Sequence, residues 1–208
     1  MKKIDTKKLV ILALLAGILV LMAYTPLGYL KVGALSITLN MIPVAIGAVA
    51  LGPTGGAILG TVFGITSFVQ CFGGDPFGTM LAGYSLLGTF VVCIVSRTLA
   101  GFLVGLIYKL LSKKAANSYV LFPVIGLLAA VFNTLFFMTS LMAIFGNTAE
   151  LSQMRGGMNL LAFMCAFVGI NAVFEIIAST VVTGAVAAAL KKAKLIGTVT
   201  PKAEPVEA

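Results

Sequence analysis

Two charged residues stand inside otherwise apolar stretches of this sequence, Arg97 and Glu175. An ionisable side chain is costly inside a lipid bilayer, so each of them is a candidate functional residue. Two interpretations are open. The charges could neutralise each other as a structural pair across a helix bundle, or Arg97 could present its positive charge to an anionic substrate.

Uncharged polar residues form a second group of candidates. A polar side chain recurs at every fourth position at Asn171, Glu175, Ser179 and Thr183. This spacing places them on one helical face and predicts a polar stripe that faces the inside of a bundle. The candidate substrate-binding residues are Asn40, Gln70, Tyr84, Arg97, Asn133, Asn171 and Glu175. The alternative role for each polar residue is hydrogen bonding between helices.

The composition indicates that these residues lie in a membrane protein. Hydrophobic residues make up 60% of the 208 residues and charged residues only 10%, whereas soluble domains carry about 25% charged residues. The net charge of +8 would also suit a nucleic-acid-binding protein. The lysines cluster at the ends of apolar runs, however, as in a membrane orientation signal, so nucleic acid is not expected as a partner.

The apolar runs predict an all-α integral membrane protein, a bundle of six transmembrane helices. The second and third helices are predicted to form a hairpin within residues 37–71 that reverses at Leu51-Gly52-Pro53, because proline suits the first turn of a new helix. Glycine recurs along the second arm at Gly52, Gly56, Gly60 and Gly64. Such a glycine-lined helix is typically in close contact with another helix.

The predicted organisation is an N-terminal tail at 1–8, a transmembrane domain at 9–192 and a disordered tail at 193–208. Of the 14 Lys and Arg residues, eleven lie near the two termini and after the fourth helix, and two lie in the opposite loops. Because cytoplasmic segments carry an excess of Lys and Arg, both termini are predicted to be cytoplasmic. The loops predicted at 28–36, 72–84 and 146–157 then lie outside, and Asn40, Gln70 and Asn133 fall in the outer half.

Several kinds of chemistry are not expected. The sequence has no histidine, and its three cysteines form no CxxC pair, so neither a metal site nor a histidine proton relay is predicted. The P-loop pattern GxxxxGK[ST] is absent, so the chain is not expected to bind ATP through such a loop. No cofactor is predicted, and an enzyme is not expected because no convergent pair of acids is present.

Ala13, Ala16 and Gly17 give the first helix a face of small residues, which suits close packing with another helix. The partner could be one of the protein's own helices or a helix of another protein.

Three stretches carry a resemblance to a known family: NMIPVAIGAVALGPTGGAILGTVFGITSF (40–68), SRTLAGFLVGLIYKLLSKK (96–114) and NAVFEIIASTVVTGAVAAALKK (171–192). With its six predicted helices, the chain resembles the substrate-binding S component of an energy-coupling factor (ECF) vitamin transporter, and the pantothenate-type branch most of all. The resemblance implies the substrate-capture subunit of an ECF-type ABC importer in a prokaryotic cell membrane, with pantothenate as the best-matching vitamin.

The resemblance also implies a mechanism. The vitamin would enter an outer pocket built by helices four to six, and Ala13, Ala16 and Gly17 would dock on a transmembrane coupling subunit driven by two cytoplasmic ATPases. A vitamin that bears a carboxylate would suit Arg97, although the depth of Arg97 in its helix favours pairing with Glu175. The alternatives are an S component for riboflavin, folate or a pyridoxine-like compound, and a self-sufficient secondary transporter.

Overall fold

The computed structural model describes residues 6–25, 28–32, 35–113 and 118–195. The helices of the described chain are α1 (Thr6–Ala23), α2 (Met41–Gln70), α3 (Pro76–Tyr84), α4 (Leu86–Leu111), α5 (Ser118–Phe145), α6 (Ala149–Arg155) and α7 (Leu160–Lys192). Two short strands, β1 (Tyr29–Val32) and β2 (Leu35–Thr38), separate α1 from α2. Most of the predicted tails, at 1–8 and 193–208, lies outside the described residues.

Helices long and apolar enough to cross a membrane dominate the fold. Five segments of the described chain meet this condition: α1, α2, α4, Tyr119–Phe145 of α5 and Asn171–Lys192 of α7. The predicted class, a helical multi-pass membrane protein, is therefore confirmed. The count of six spanning helices and the cytoplasmic position of both termini stay predictions.

The predicted reversal lies within α2. Gly52 has a φ of 74°, which glycine tolerates and other residues rarely adopt, and Pro53 begins the second arm. A Cβ atom on Gly56 would lie 3.2 Å from the Cβ of Ala48, although eight residues of a continuous helix would separate the two by about 12 Å. The arms, 41–51 and 53–70, therefore fold back on each other.

The glycines of the second arm bring α2 into direct contact with α4. Each of three glycines faces a backbone group of α4: Gly56 faces Gly101, Gly60 faces the Arg97 carbonyl and Gly64 faces the Cα of Ile94. A Cβ on Gly64 would lie only 2.6 Å from that Cα atom. The predicted close contact is thus confirmed, and it places the backbone of Arg97 directly against α2.

Residues 28–36, predicted as a loop, contain most of a small antiparallel sheet instead. β1 and β2 pair with Tyr29 opposite Thr38 and Val32 opposite Leu35. The loop prediction was wrong in this stretch because β-branched residues such as Val32 and Ile37 favour strands. Strands of four residues are too short to give a clear alternating pattern.

Short helices also occupy the two other predicted loops, at 72–84 and 146–157. The carboxylate of Asp75 caps α3 by accepting a hydrogen bond from the Gly78 backbone N–H at 2.8 Å, and Pro76 occupies its first turn. α6 ends at Gly156, which has a φ of 54°. The loop predictions were wrong here because residues that break one helix also serve to begin or end another.

α1 lies at the edge of the bundle, with 17% of its residues buried. Its buried side consists of Leu15, Leu19 and Ala23. Ala13 and Gly17 are exposed, and Ala16 is half-buried at the boundary. A Cβ atom on Gly17 would meet nothing within 4 Å, so this face of α1 is open in the described chain.

The contact between Gly60 and α4 can be tested with Gly60→Ala. The added methyl group would overlap the Arg97 carbonyl oxygen, and we expect overpacking to destabilise the protein by about 1–3 kcal/mol. Gly169→Ala in α7 is the matched control, because a Cβ there would meet nothing within 4 Å. Thermal unfolding of the purified variants, followed by circular dichroism, makes the comparison. Equal melting temperatures for the two variants would contradict the close contact.

Candidate functional site

A cavity of about 110 Å³ lies among α2, α3, α4, α5 and α7, and Thr38 at the end of β2 also reaches it. α4 and α5 supply one wall, which consists of Val92, Cys93, Arg97, Asn133, Thr134 and Phe137. α3 closes one side with Phe77, Gly78 and Leu81. The stretch predicted as a loop at 72–84 therefore borders the cavity, and most of it is the helix α3.

Five of the seven predicted substrate-binding residues line this cavity, namely Gln70, Arg97, Asn133, Asn171 and Glu175. They belong to four helices that are well separated in sequence, so the fold brings them together. The side-chain amide of Gln70 also donates a hydrogen bond to the Ala23 carbonyl at 2.7 Å. This bond ties the end of α2 to the end of α1.

The other two predicted residues, Asn40 and Tyr84, lie outside the lining of the cavity. Asn40 directly precedes α2 and is fully buried, and its side-chain amide has no hydrogen-bond partner. Tyr84 ends α3 and is about half exposed, and its hydroxyl donates a hydrogen bond to the Glu150 carboxylate. Tyr84 therefore joins α3 to α6 and does not face the cavity.

Arg97 is the buried cation of the site, with 6% of its surface exposed. The guanidinium carbon lies 4.6 Å from the ring centre of Phe63 and 5.4 Å from that of Phe137. Its Nη1 donates hydrogen bonds to the carbonyls of Val92 and Cys93 at 3.2 and 3.1 Å. Its Nε has no hydrogen-bond partner, and no acidic side chain of the described chain forms an ion pair with it.

The two carbonyls that hold Arg97 belong to a π-helical turn, Val91–Val95, within α4. Such a turn shifts the backbone hydrogen bonds by one residue and is common at functional sites. Ser96 continues the pattern, because its hydroxyl bonds the Val91 carbonyl at 3.3 Å. The side chains of Ser96 and Arg97, which follow the turn, thus donate hydrogen bonds to its carbonyls. The bonds from Arg97 fix the direction of its guanidinium group.

Glu175 and Asp75 carry the negative charges of the site, and the Asp75 carboxylate is the one that caps α3. The Oε1 of Glu175 accepts a hydrogen bond from the backbone N–H of Thr38 at 2.7 Å, and the side-chain amide of Asn133 lies next to the same carboxylate. Thr38 is the last residue of β2, so Glu175 fastens the β-hairpin to the bundle. The ion pair between Arg97 and Glu175 that the sequence left open is absent.

The predicted polar stripe of α7 is confirmed, since its four residues are all buried. It has two parts with different surroundings. Asn171 and Glu175 line the cavity. Ser179 donates a hydrogen bond to the Gly126 carbonyl at 2.7 Å, which joins α7 to α5 away from the cavity. Hydrogen bonding between helices is therefore seen for Ser179, whereas substrate binding by Asn171 and Glu175 stays a prediction.

The sequence reasoning missed several residues of the lining. Phe77 and Leu81 belong to α3, which was expected to be a loop. Cys71, which follows α2, and Cys93 of α4 lie side by side in the lining, with their sulfur atoms 3.8 Å apart. Nothing in a separation of 22 residues indicates this approach, which depends on the close packing of α2 against α4.

These groups define a class of protein. A buried cation that forms no direct ion pair among the described residues, two carboxylates, three side-chain amides and an apolar wall can together bind a small polar molecule inside a helical membrane protein. Comparison with protein families gives the same class in more detail. The model of the substrate-specific component of ECF transporters matches residues 7–187. The chain belongs to this family.

Similar proteins of known name are transporters. The chain is 29% identical over 206 residues to the pantothenic acid transporter PanT of Lactococcus lactis subsp. cremoris strain MG1363, covering 93% of this chain and 98% of that protein. It is also 29% identical over 193 residues to the pantothenate transporter PanT of Leuconostoc mesenteroides subsp. mesenteroides, covering 87% and 90%. The family and these names indicate transport and not catalysis, and the family resemblance of the sequence is confirmed.

The bond between Glu175 and the β-hairpin can be tested by hydrogen exchange. Glu175→Ala removes the acceptor of the Thr38 N–H, whereas Glu175→Gln keeps an oxygen at that position. Losing a hydrogen bond to a charged group costs about 1.5–3 kcal/mol, so we expect amides of residues 29–38 to exchange roughly tenfold faster in the alanine variant. The glutamine variant should stay close to the parent. Unchanged exchange after Glu175→Ala would contradict the attachment.

Proposed function

We propose that the chain is the substrate-capture subunit of an ECF-type ABC importer and that it binds pantothenate in the cavity between α2, α3, α4, α5 and α7. The observation that carries this proposal is the buried guanidinium of Arg97, which forms no direct ion pair with an acidic side chain of the described residues. The names of the two similar transporters supply the identity of the anion. Pantothenate has a carboxylate at one end, an amide in the middle and two hydroxyl groups at the other end.

Arg97 is the proposed partner of the carboxylate. Its Nη1 is already engaged by the carbonyls of Val92 and Cys93, while its Nε has no partner. A carboxylate prefers to accept two parallel hydrogen bonds from a guanidinium. The edge of the guanidinium that contains Nε is therefore the proposed contact, and the rings of Phe63 and Phe137 hold the group in place.

The remaining polar residues suit the uncharged part of the ligand. Glu175 can accept hydrogen bonds from hydroxyl groups, and the amides of Gln70, Asn133 and Asn171 can both donate and accept. The apolar side chains of α3 suit the methyl groups of the ligand. Asn40 and Tyr84, which lie outside the lining, have no part in this binding proposal.

The proposal for the whole transporter extends to partner proteins. A transmembrane coupling subunit docks on the small-residue face of α1 formed by Ala13, Ala16 and Gly17, and two cytoplasmic ATPases drive the cycle. Support comes from the open surroundings of this face, since Ala13 and Gly17 are exposed on a helix that packs on its other side. The location is a prokaryotic plasma membrane, with both termini in the cytoplasm.

The role of Arg97 can be tested with a ligand pair. Pantothenate and its alcohol analogue differ only in the carboxylate, so a titration calorimeter can compare their affinities for purified protein without ATP. We expect the parent to prefer pantothenate by roughly 10- to 100-fold, as for a charge-assisted hydrogen bond of about 1.5–3 kcal/mol. Arg97→Ala should remove this preference.

Arg97→Lys is the control, since it keeps the charge but loses the planar two-donor geometry, and we expect an intermediate preference. An unchanged preference for pantothenate in Arg97→Ala would contradict the proposed contact. Binding of a different vitamin, with no binding of pantothenate, would contradict the proposed substrate.

Docking can be tested with Ala13→Trp, which fills the open face of α1. We expect this variant to bind pantothenate normally but to fail to co-purify with the coupling subunit, because helices must approach closely at small residues. Ile18→Trp is the matched control, because Ile18 is also exposed on α1 but on a different side. Normal assembly of the Ala13→Trp variant would contradict the docking proposal.

A further inference from the structure

Cys71 and Cys93 form a close pair of thiols in the wall of the cavity. Their sulfur atoms are 3.8 Å apart, and both residues are 4% exposed. Cys71 directly follows α2, and Cys93 lies in the π-helical turn of α4. The pair therefore joins two elements across one side of the candidate site.

Each cysteine also contacts a functional part of the cavity, Cys71 through its sulfur and Cys93 through its backbone carbonyl. The Cys71 sulfur bonds the Ser67 carbonyl at 3.3 Å, and a Cβ atom on Gly78 in the first turn of α3 would lie 2.5 Å from it. The backbone carbonyl of Cys93 accepts a hydrogen bond from Arg97 at 3.1 Å. A movement of the two sulfurs would therefore reach both α3 and the guanidinium.

The geometry favours a disulfide over isolated thiols once an oxidant is present. A disulfide has a sulfur–sulfur distance of about 2.05 Å, so the two sulfurs must approach each other by less than the width of one atom. The chain's remaining cysteine, Cys165, is exposed on α7 and does not line the cavity. Cys71 and Cys93 are thus each other's nearest resolving thiol.

We propose that Cys71 and Cys93 are a redox modification site, in which a peroxide small enough to enter the cavity oxidises the pair to a disulfide and thereby weakens ligand binding. One thiolate attacks an oxygen of the peroxide, its O–O bond breaks, and a sulfenic acid and one water form. The second thiolate then attacks the sulfenic sulfur and displaces its hydroxyl as a second water. The two thiols together lose two protons and two electrons, and the peroxide is reduced to two waters.

The disulfide acts on the ligand through the contacts of its two ends. Moving the Cys71 sulfur changes its contact with Gly78 in the first turn of α3, the helix that closes one side of the cavity. Moving Cys93 towards Cys71 strains the π-helical turn whose carbonyl holds Arg97. This consequence rests on the proposed function, in which Arg97 binds the carboxylate of the ligand, whereas formation of the disulfide does not.

The experiment uses the full chain carrying Cys165→Ser, which prevents disulfides between molecules. The purified protein is treated with hydrogen peroxide, digested without reduction and mapped by mass spectrometry, and its affinity for pantothenate is measured before oxidation, after oxidation and after reduction. We expect a Cys71–Cys93 linked peptide and a loss of affinity of roughly tenfold or more, which a reductant reverses. Adding Cys71→Ser should abolish both the linked peptide and the reversible response.

Two results would overturn the inference. The first is that both thiols stay free after prolonged treatment with excess peroxide, and the second is that the linked peptide forms while the affinity for pantothenate is unchanged. A reduced protein that does not bind pantothenate at all would instead contradict the proposed function. In that case the peptide map alone still decides whether the disulfide forms.

Discussion

The structure depends on the burial of one positive charge, the guanidinium of Arg97, inside a bundle of apolar helices. Removing an ion from water costs several kcal/mol even in a relaxed protein interior. Two carbonyls and two aromatic rings stabilise the group, and a desolvated cation–π contact contributes about 2 kcal/mol. These contacts leave Nε without a partner. Under the proposed function, this unsatisfied edge of the guanidinium receives the anionic group of the ligand.

The rest of the fold places this charge where a ligand can reach it. The glycines of α2 let α4 approach so closely that the Arg97 backbone touches Gly60. The π-helical turn of α4 then supplies the carbonyls that direct the side chain. Glu175 on α7 accepts the backbone hydrogen bond of Thr38 at the end of the β-hairpin, and it forms no direct ion pair with Arg97.

The sequence predicted the scaffold better than the cavity. Three features follow from rules that act within one helix or one turn: the long apolar runs, the reversal at Gly52-Pro53 and the glycines that recur along the second arm of α2. The structure contains all three. The β-hairpin and α3 were predicted as loops because each is short, and because Asp75-Pro76 resembles a break as much as a helix start. Arg97 and Glu175 were recognisable as isolated charges in apolar runs, but whether they pair depends on distances between helices. The approach of Cys71 to Cys93 depends on the same distances, so no sequence pattern could reveal it.

The central claim is that the unsatisfied edge of Arg97 receives the carboxylate of pantothenate. The most direct measurement is a structure of the purified chain determined with pantothenate bound. The account predicts a carboxylate oxygen within hydrogen-bonding distance of the Arg97 Nε, with Nη1 still on the carbonyls of Val92 and Cys93. Pantothenate bound in this cavity with its carboxylate away from Arg97, or bound elsewhere on the chain, would contradict it.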